Sequence, residues 1–120
     1  MKIVEKGECV FVQLSGRLDA VSSSKLKKQL TKIRPDLHSL CILDMDQVDF
    51  IDSEGVCTLV HELKRLNQVG CRLAICNLHS AARLIFEITQ LDQVFEIIEG
   101  GYDAIHSTQR EFQEIQPLSA

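Results

Sequence analysis

The 120-residue sequence predicts an α/β domain: a mixed, mostly parallel sheet with an antiparallel N-terminal strand and helices packed on it. Three observations carry that expectation. Two short β-rich runs open the chain, separated by Glu5-Lys6-Gly7-Glu8, whose glycine suits a hairpin loop. After a first helix, strand-like and helix-like runs then alternate, the order that builds parallel sheets with covering helices. Leu40-Cys41-Ile42-Leu43 is continuously apolar, as a central strand buried on both faces should be.

Each element follows from local chemistry. The first strand covers residues 2–4. The second covers residues 9–14, where Cys9-Val10-Phe11-Val12-Gln13-Leu14 is nearly all apolar, and Ser15-Gly16 ends it. Arg17-Leu18-Asp19 reads as a loop leading to a helix over residues 20–33. Asp19 is its N-cap, with Ser22, Ser23 and Ser24 as alternatives. Leu26, Leu30 and Ile33 form its inner stripe, Lys32 and Arg34 suit its C-terminal dipole, and Pro35 stops it. The third strand is followed by Asp44, Asp46 and Asp49, then by a hinge, Asp52-Ser53-Glu54-Gly55. A second helix runs to about Gln68 on the stripe Val56, Leu59, Val60, Leu63 and Leu66, with Gly70 as its stop. Residues 72–76 are a fourth strand and Asn77 the turn after it. Ser80 can cap a short helix whose inner face is Ala81, Leu84 and Ile88. Residues 94–98 make a last strand, broken by Gly100-Gly101. Ala104, Ile105, Thr108, Phe112 and Ile115 give a final helix.

Composition removes several function classes. The length fits one domain with its own core, and 45 % apolar residues is ordinary for a globular chain. A net charge of -4 and few aromatics argue against nucleic acid as a direct partner. No apolar run approaches the roughly 20 residues that span a bilayer. Charges interrupt the N-terminus as a leader, so no membrane association or secretion is expected. The five cysteines are odd in number and include no CxxC pair, which fits free thiols in a reducing cytoplasm, most of them in the core. His38, His61, His79 and His106 are isolated, without metal-ligand spacing, and no phosphate-cradling glycine loop occurs. No metal, cofactor or catalytic residue is expected, and the chain does not read as an enzyme. The aspartates invite comparison with a phospho-aspartate receiver. Such a domain needs an acidic pair after its first strand and a lysine after its last, and neither is present.

Ser53 stands where a helix should begin. By position alone it is an N-cap, but Asp52 can cap equally well and leave the hydroxyl free. Gly55 allows another backbone close to the first turn. Asp19 and Asn77 read first as a cap and a turn residue. Cys57 lies near a helix N-terminus, where thiolates are stabilised, but no base is paired with it.

The stretch Phe50-Ile51-Asp52-Ser53-Glu54-Gly55-Val56 resembles the Asp-Ser-Ser-Gly signature of the STAS domain, the family named for sulphate transporters and anti-sigma factor antagonists. Gly16-Arg17-Leu18-Asp19 is similar to its Gly-x-Leu-Asp. Residues 70–77 are similar to its Gly-x-x-Leu-x-Leu-x-Asn strand, and residues 86–95 to its passage from helix to last strand. The resemblance spans about residues 1–112 and implies a STAS domain over residues 1–116, with residues 117–120 as a flexible tail. It implies a non-enzymatic anti-sigma factor antagonist in the cytoplasm. A serine-kinase anti-sigma factor would phosphorylate Ser53, and a metal-dependent serine phosphatase would reverse this. The unphosphorylated form would bind the kinase and free the sigma factor. The expected docking edge is the helix over residues 54–68 with Ser53 at its head, and the expected contact residues are Asp19, Asp52, Ser53, Glu54, Gly55, Cys57, His61 and Asn77. Glu54 departs from the pattern, standing where the family often has a second serine. Two other readings remain: a constitutive scaffold domain in which Ser53 is only a cap, and a module sensing a small ligand or nucleotide.

Overall fold

The computed structural model describes residues 1–78 and 80–99. The expected break at Gly100-Gly101, the final helix and the tail lie outside these residues, as does the side chain of Ser80. The elements are β1 (Lys2–Lys6), β2 (Cys9–Leu18), α1 (Ala20–Leu30), β3 (Leu40–Ile51), α2 (Ser53–Gln68), β4 (Arg72–Cys76), α3 (Ser80–Ile88), a short 3-10 turn (Leu91–Gln93) and β5 (Glu96–Ile98). The strands lie in chain order, β1-β2-β3-β4-β5. β1 pairs antiparallel with β2, and every later pair is parallel, so the predicted mixed sheet is the observed one.

Alternation along the strands gives the sheet two apolar faces. One carries Val10, Val12, Cys41, Leu43, Leu73 and Ile75, and all three helices bury side chains on it, among them Leu26 and Leu30, Leu59, Leu63 and Leu66, and Ala82 and Phe86. The other carries Cys9, Leu40, Ile42, Ala74 and Cys76. Four of the five thiols are therefore buried and only Cys57 is exposed. Burial pushes the Cys9 and Cys76 thiols up to about 12 and that of Cys71 to about 11.

Several expectations need correction. β2 does not end at Ser15-Gly16 but continues to Leu18, and β3 runs through the aspartates to Ile51. Two register slips explain why β3, expected over residues 40–43, runs on past Leu43 without a period-two pattern. Gln13 pairs with Asp44 but Ser15 with Gln47, and Gly16 pairs with Val48 but Arg17 with Phe50. Each slip is a bulge in β3, and each turns the strand by one residue. The bulges let Leu43, Met45, Val48 and Ile51 all face the core although their spacing leaves period two. Helix α1 ends at Leu30 rather than residue 33. The Thr31 hydroxyl donates to the Lys28 carbonyl at 2.6 Å and the chain tightens into turns, although Ile33 still packs on the core. β5 begins at Glu96, after the 3-10 turn.

The expected inner face of α3 is its outer face. Ala81 is exposed and Leu84 and Ile88 are 56 % and 71 % exposed, whereas Ala82 and Phe86 are buried. Arg83 and Glu87 share one side of this helix and the apolar residues spread over a broad arc opposite, so periodicity does not choose which part of that arc is buried. Phe86 decides it by packing on Phe95 with ring centroids 5.8 Å apart.

Candidate functional site

The heads of α1 and α2 are built alike, side by side, at the ends of β2 and β3. Asp19 caps α1, accepting from the Ser22 N–H at 3.2 Å, while the Ser22 hydroxyl accepts from the Asp19 N–H at 2.9 Å. The Ser22 backbone bond is the main reason the Asp19 carboxyl sits below its ordinary range. Asp52 caps α2, accepting from the Gly55 N–H at 3.0 Å. The hinge expected from sequence is thus a cap followed by the first helical turn, Ser53, Glu54 and Gly55.

The two heads are locked through Leu18. Its carbonyl accepts from the Asp52 N–H at 3.2 Å. Gly55 is buried against it: a Cβ there would stand 2.8 Å from Ile51 Cγ2 and 3.0 Å from Leu18 Cγ, and closer still to the Leu18 carbonyl oxygen. Gly55 is therefore required by close approach, not by an unusual backbone angle. This packing brings Asp19, Asp52, Ser53, Glu54 and Gly55 together.

Ser53 is exposed and its hydroxyl makes no hydrogen bond among the described residues, since Asp52 does the capping. Glu54 is exposed beside it. Cys57 and His61 follow at i+4 and i+8, exposed on neighbouring turns of α2 and trailing away from Ser53 along one side of the helix. Asn77 lies elsewhere. It leaves β4 with φ 55° and donates to Asp44 Oδ1 at 3.0 Å. Asp44 pairs with Cys76, whereas Ser53 follows Ile51, so β2 and β3 project past β4. That stagger is on the order of 20 Å measured along the strand.

Two features, one at this end of the fold and one toward the other, were not foreseen. Arg17 and Phe50 are register partners, with the guanidinium 4.6 Å from the ring centroid. The slip that aligns them leaves no trace in sequence. Deeper along α2, Glu62 is 2 % exposed and pairs with Arg65 at 2.8 Å, and Arg65 also donates to the Leu30 carbonyl at 3.2 Å. This clamp fixes α2 to the end of α1. Its sequence signal was a carboxylate on the buried side of the helix, four residues after the equally buried Thr58.

Residues 1–107 match the STAS domain family. The anti-sigma-B factor antagonist of Staphylococcus aureus (strain NCTC 8325 / PS 47) is 32 % identical over 89 residues, covering 74 % of this chain and 82 % of that one. Among solved structures, the anti-sigma factor antagonist SpoIIAA in its unphosphorylated form superposes with a TM-score of 0.73 at 19 % identity, covering 90 % of this chain and 95 % of that one. The phosphorylated form of SpoIIAA, a Bacillus cell fate determinant, gives 0.69 at 21 % identity, covering 89 % and 97 %. At these identities the structural likeness speaks for the fold. No described helix is long and apolar enough to cross a membrane.

Proposed function

We propose that this chain, which belongs to the STAS domain family, is an anti-sigma factor antagonist that binds a serine-kinase anti-sigma factor through the head of α2 and is released when Ser53 is phosphorylated. A metal-dependent serine phosphatase restores the binding form. The protein works by association in the cytoplasm and catalyses nothing itself. One observation carries this reading over a plain cap. Asp52 takes the capping bond, so the Ser53 hydroxyl is exposed and uncommitted at a helix N-terminus.

The physics of the switch follows from that position. A phosphoserine brings about -1.5 to -2 charges at pH 7. Beside a helix N-terminus the dipole and free N–H groups offset part of the cost, and Ser53 is exposed, outside the buried Leu18–Gly55 packing. The fold therefore tolerates the phosphate. A partner surface packed on this turn does not, because the new charge must be desolvated. Asp19, Asp49, Asp52 and Glu54 already make this end of the fold acidic, so the partner's contact groups are basic or neutral. Glu54, in place of a second serine, leaves Ser53 as the acceptor of that turn and biases the partner toward basic contacts.

Incubation with the kinase and ATP, followed by phosphosite mapping, tests the reading. Phosphate is expected on Ser53, with none on the Ser53→Ala variant, and Ser53→Asp is expected to weaken kinase binding without lowering thermal stability. Undiminished binding by Ser53→Asp, or absence of label on Ser53, defeats it.

A further inference from the structure

We infer that Arg17 and Phe50 form a preassembled recognition patch that selects the partner docking at the serine turn, Phe50 by apolar contact and Arg17 by pairing with a carboxylate of that partner. The inference rests on the antagonist reading above and adds to it the chemistry of the partner's surface.

Phe50 is 39 % exposed, while Phe11 is half-buried and Phe86 and Phe95 are buried. A single exposed aromatic decides little by itself. Its neighbour is the telling residue. Arg34, Arg65, Arg72 and Arg83 each pair with a carboxylate, respectively Asp36, Glu62, Glu96 and Glu99. Among the described arginines Arg17 alone makes no ion pair, although Asp19, Asp49 and Asp52 are close in sequence or register. Its guanidinium instead lies over the Phe50 ring, with its N–H edge unused by any described residue.

The backbone imposes this arrangement. Leu18 and Ile51 turn into the core, so Arg17 and Phe50, one residue earlier on each strand, turn to the opposite side. Phe50 stands three residues before Ser53. A stacked guanidinium has already lost much of the side-chain freedom that binding otherwise takes away. Arginine and aromatic side chains are also the types that dominate binding energy at interfaces. The charges fix the occupant. The carboxylates around Ser53 call for basic groups on the partner, and Arg17, the described arginine without an ion pair, calls for one carboxylate set within that basic surface. A uniformly basic surface would be repelled by Arg17, so the patch discriminates among kinases that all tolerate the acidic turn.

The test is calorimetric binding of the purified serine-kinase anti-sigma factor from the same genome to the unphosphorylated protein and to Arg17→Ala, Arg17→Lys, Arg17→Glu and Phe50→Ala. Both side chains are exposed, and unchanged melting temperatures confirm folding. Arg17→Ala is expected to weaken binding by about tenfold or more, Arg17→Glu further, and Arg17→Lys by an intermediate factor. Phe50→Ala is expected to weaken it by about fivefold. A lysine substituted for the facing partner carboxylate should restore binding to Arg17→Glu. If wild type binds and Ser53→Asp releases it while the Arg17 and Phe50 variants bind like wild type, the patch is overturned and the antagonist reading stands. If wild type does not bind the kinase, both fall.

Discussion

Replacing Gly55 by alanine tests the junction on which the serine turn is built. The added methyl has no space: it would lie 2.8 Å from Ile51 Cγ2 and 3.0 Å from Leu18 Cγ, and closer to the Leu18 carbonyl oxygen. Carbon atoms in good contact are about 3.5–4.0 Å apart, so the head of α2 must retreat by about 1 Å. The nearest atom is backbone at the end of β2, which cannot swing aside as a side chain would. Overpacking of this kind costs about 1–3 kcal/mol. The retreat also stretches the Asp52 N–H bond to the Leu18 carbonyl, now 3.2 Å, a bond of a kind worth about 1 kcal/mol. Against this, alanine is preferred to glycine in a helix by about 1 kcal/mol.

The net expectation is a loss of about 1–3 kcal/mol, which for a domain of this size lowers Tm by about 4–12 °C. Thermal and urea melts followed by circular dichroism measure it. Gly70→Ala is the contrasting variant. It meets no atom within 4 Å but has φ +84°, so its cost of about 1 kcal/mol is conformational. A Gly55→Ala protein melting within about 1 °C of wild type would refute the close-approach argument.

Arg65→Ala should destabilise more than Glu62→Gln, by about 2–3 against about 1 kcal/mol in urea melts, because the first leaves the buried Glu62 carboxylate with only the His61 imidazole, 3.9 Å away, and frees the Leu30 carbonyl. Asp19 supplies an acid-dependent term. Its carboxyl is held below its ordinary value by the Ser22 bonds, so its contribution is present above about pH 4 and is lost as pH falls through the lowered value. Asparagine caps as well but does not titrate there. Melts between pH 5 and 2 should therefore fall more steeply for wild type than for Asp19→Asn, and parallel curves would remove this role. In the native protein a thiol reagent at pH 8 should modify Cys57 quickly and the described buried thiols only on unfolding; rapid labelling that survives Cys57→Ser would contradict their burial.

The parts of this fold that sequence made legible are those set by local rules. Asp19 as a cap, the glycine-bearing hairpin, the Leu59-Leu63-Leu66 stripe and the acidic turn at Ser53 each depend on residues within a few positions of one another. The parts it hid depend on pairing across the sheet. The third strand was expected to stop before the aspartates because two bulges break the alternation of residues 44–51, and bulges are visible only against β2. The inner face of α3 went to Phe86 because a ring on another segment was there to meet it. The placement of Asn77 beside Asp44, a long step from Ser53, follows from how far β3 outruns β4.

The same distinction separates two halves of the candidate site. The serine turn is a local device: a cap that frees a hydroxyl and a glycine that lets the turn seat on its neighbour. A device of that kind is legible in a sequence because every member of the set, Asp52 to Gly55, lies within four positions. Arg17 and Phe50 are 33 positions apart and meet only because β3 carries one bulge residue, Asp49, between Val48 and Phe50. Without that bulge Arg17 would align with Asp49 and form an ordinary cross-strand ion pair. The bulge exchanges a carboxylate for an aromatic ring as the neighbour of the guanidinium, and leaves the cation with its donors unspent at the edge of an acidic surface. Deleting Asp49 would remove the bulge and still leave Arg17 opposite Phe50, so it is the extra residue's place in the strand, and not its carboxylate, that sets this pairing.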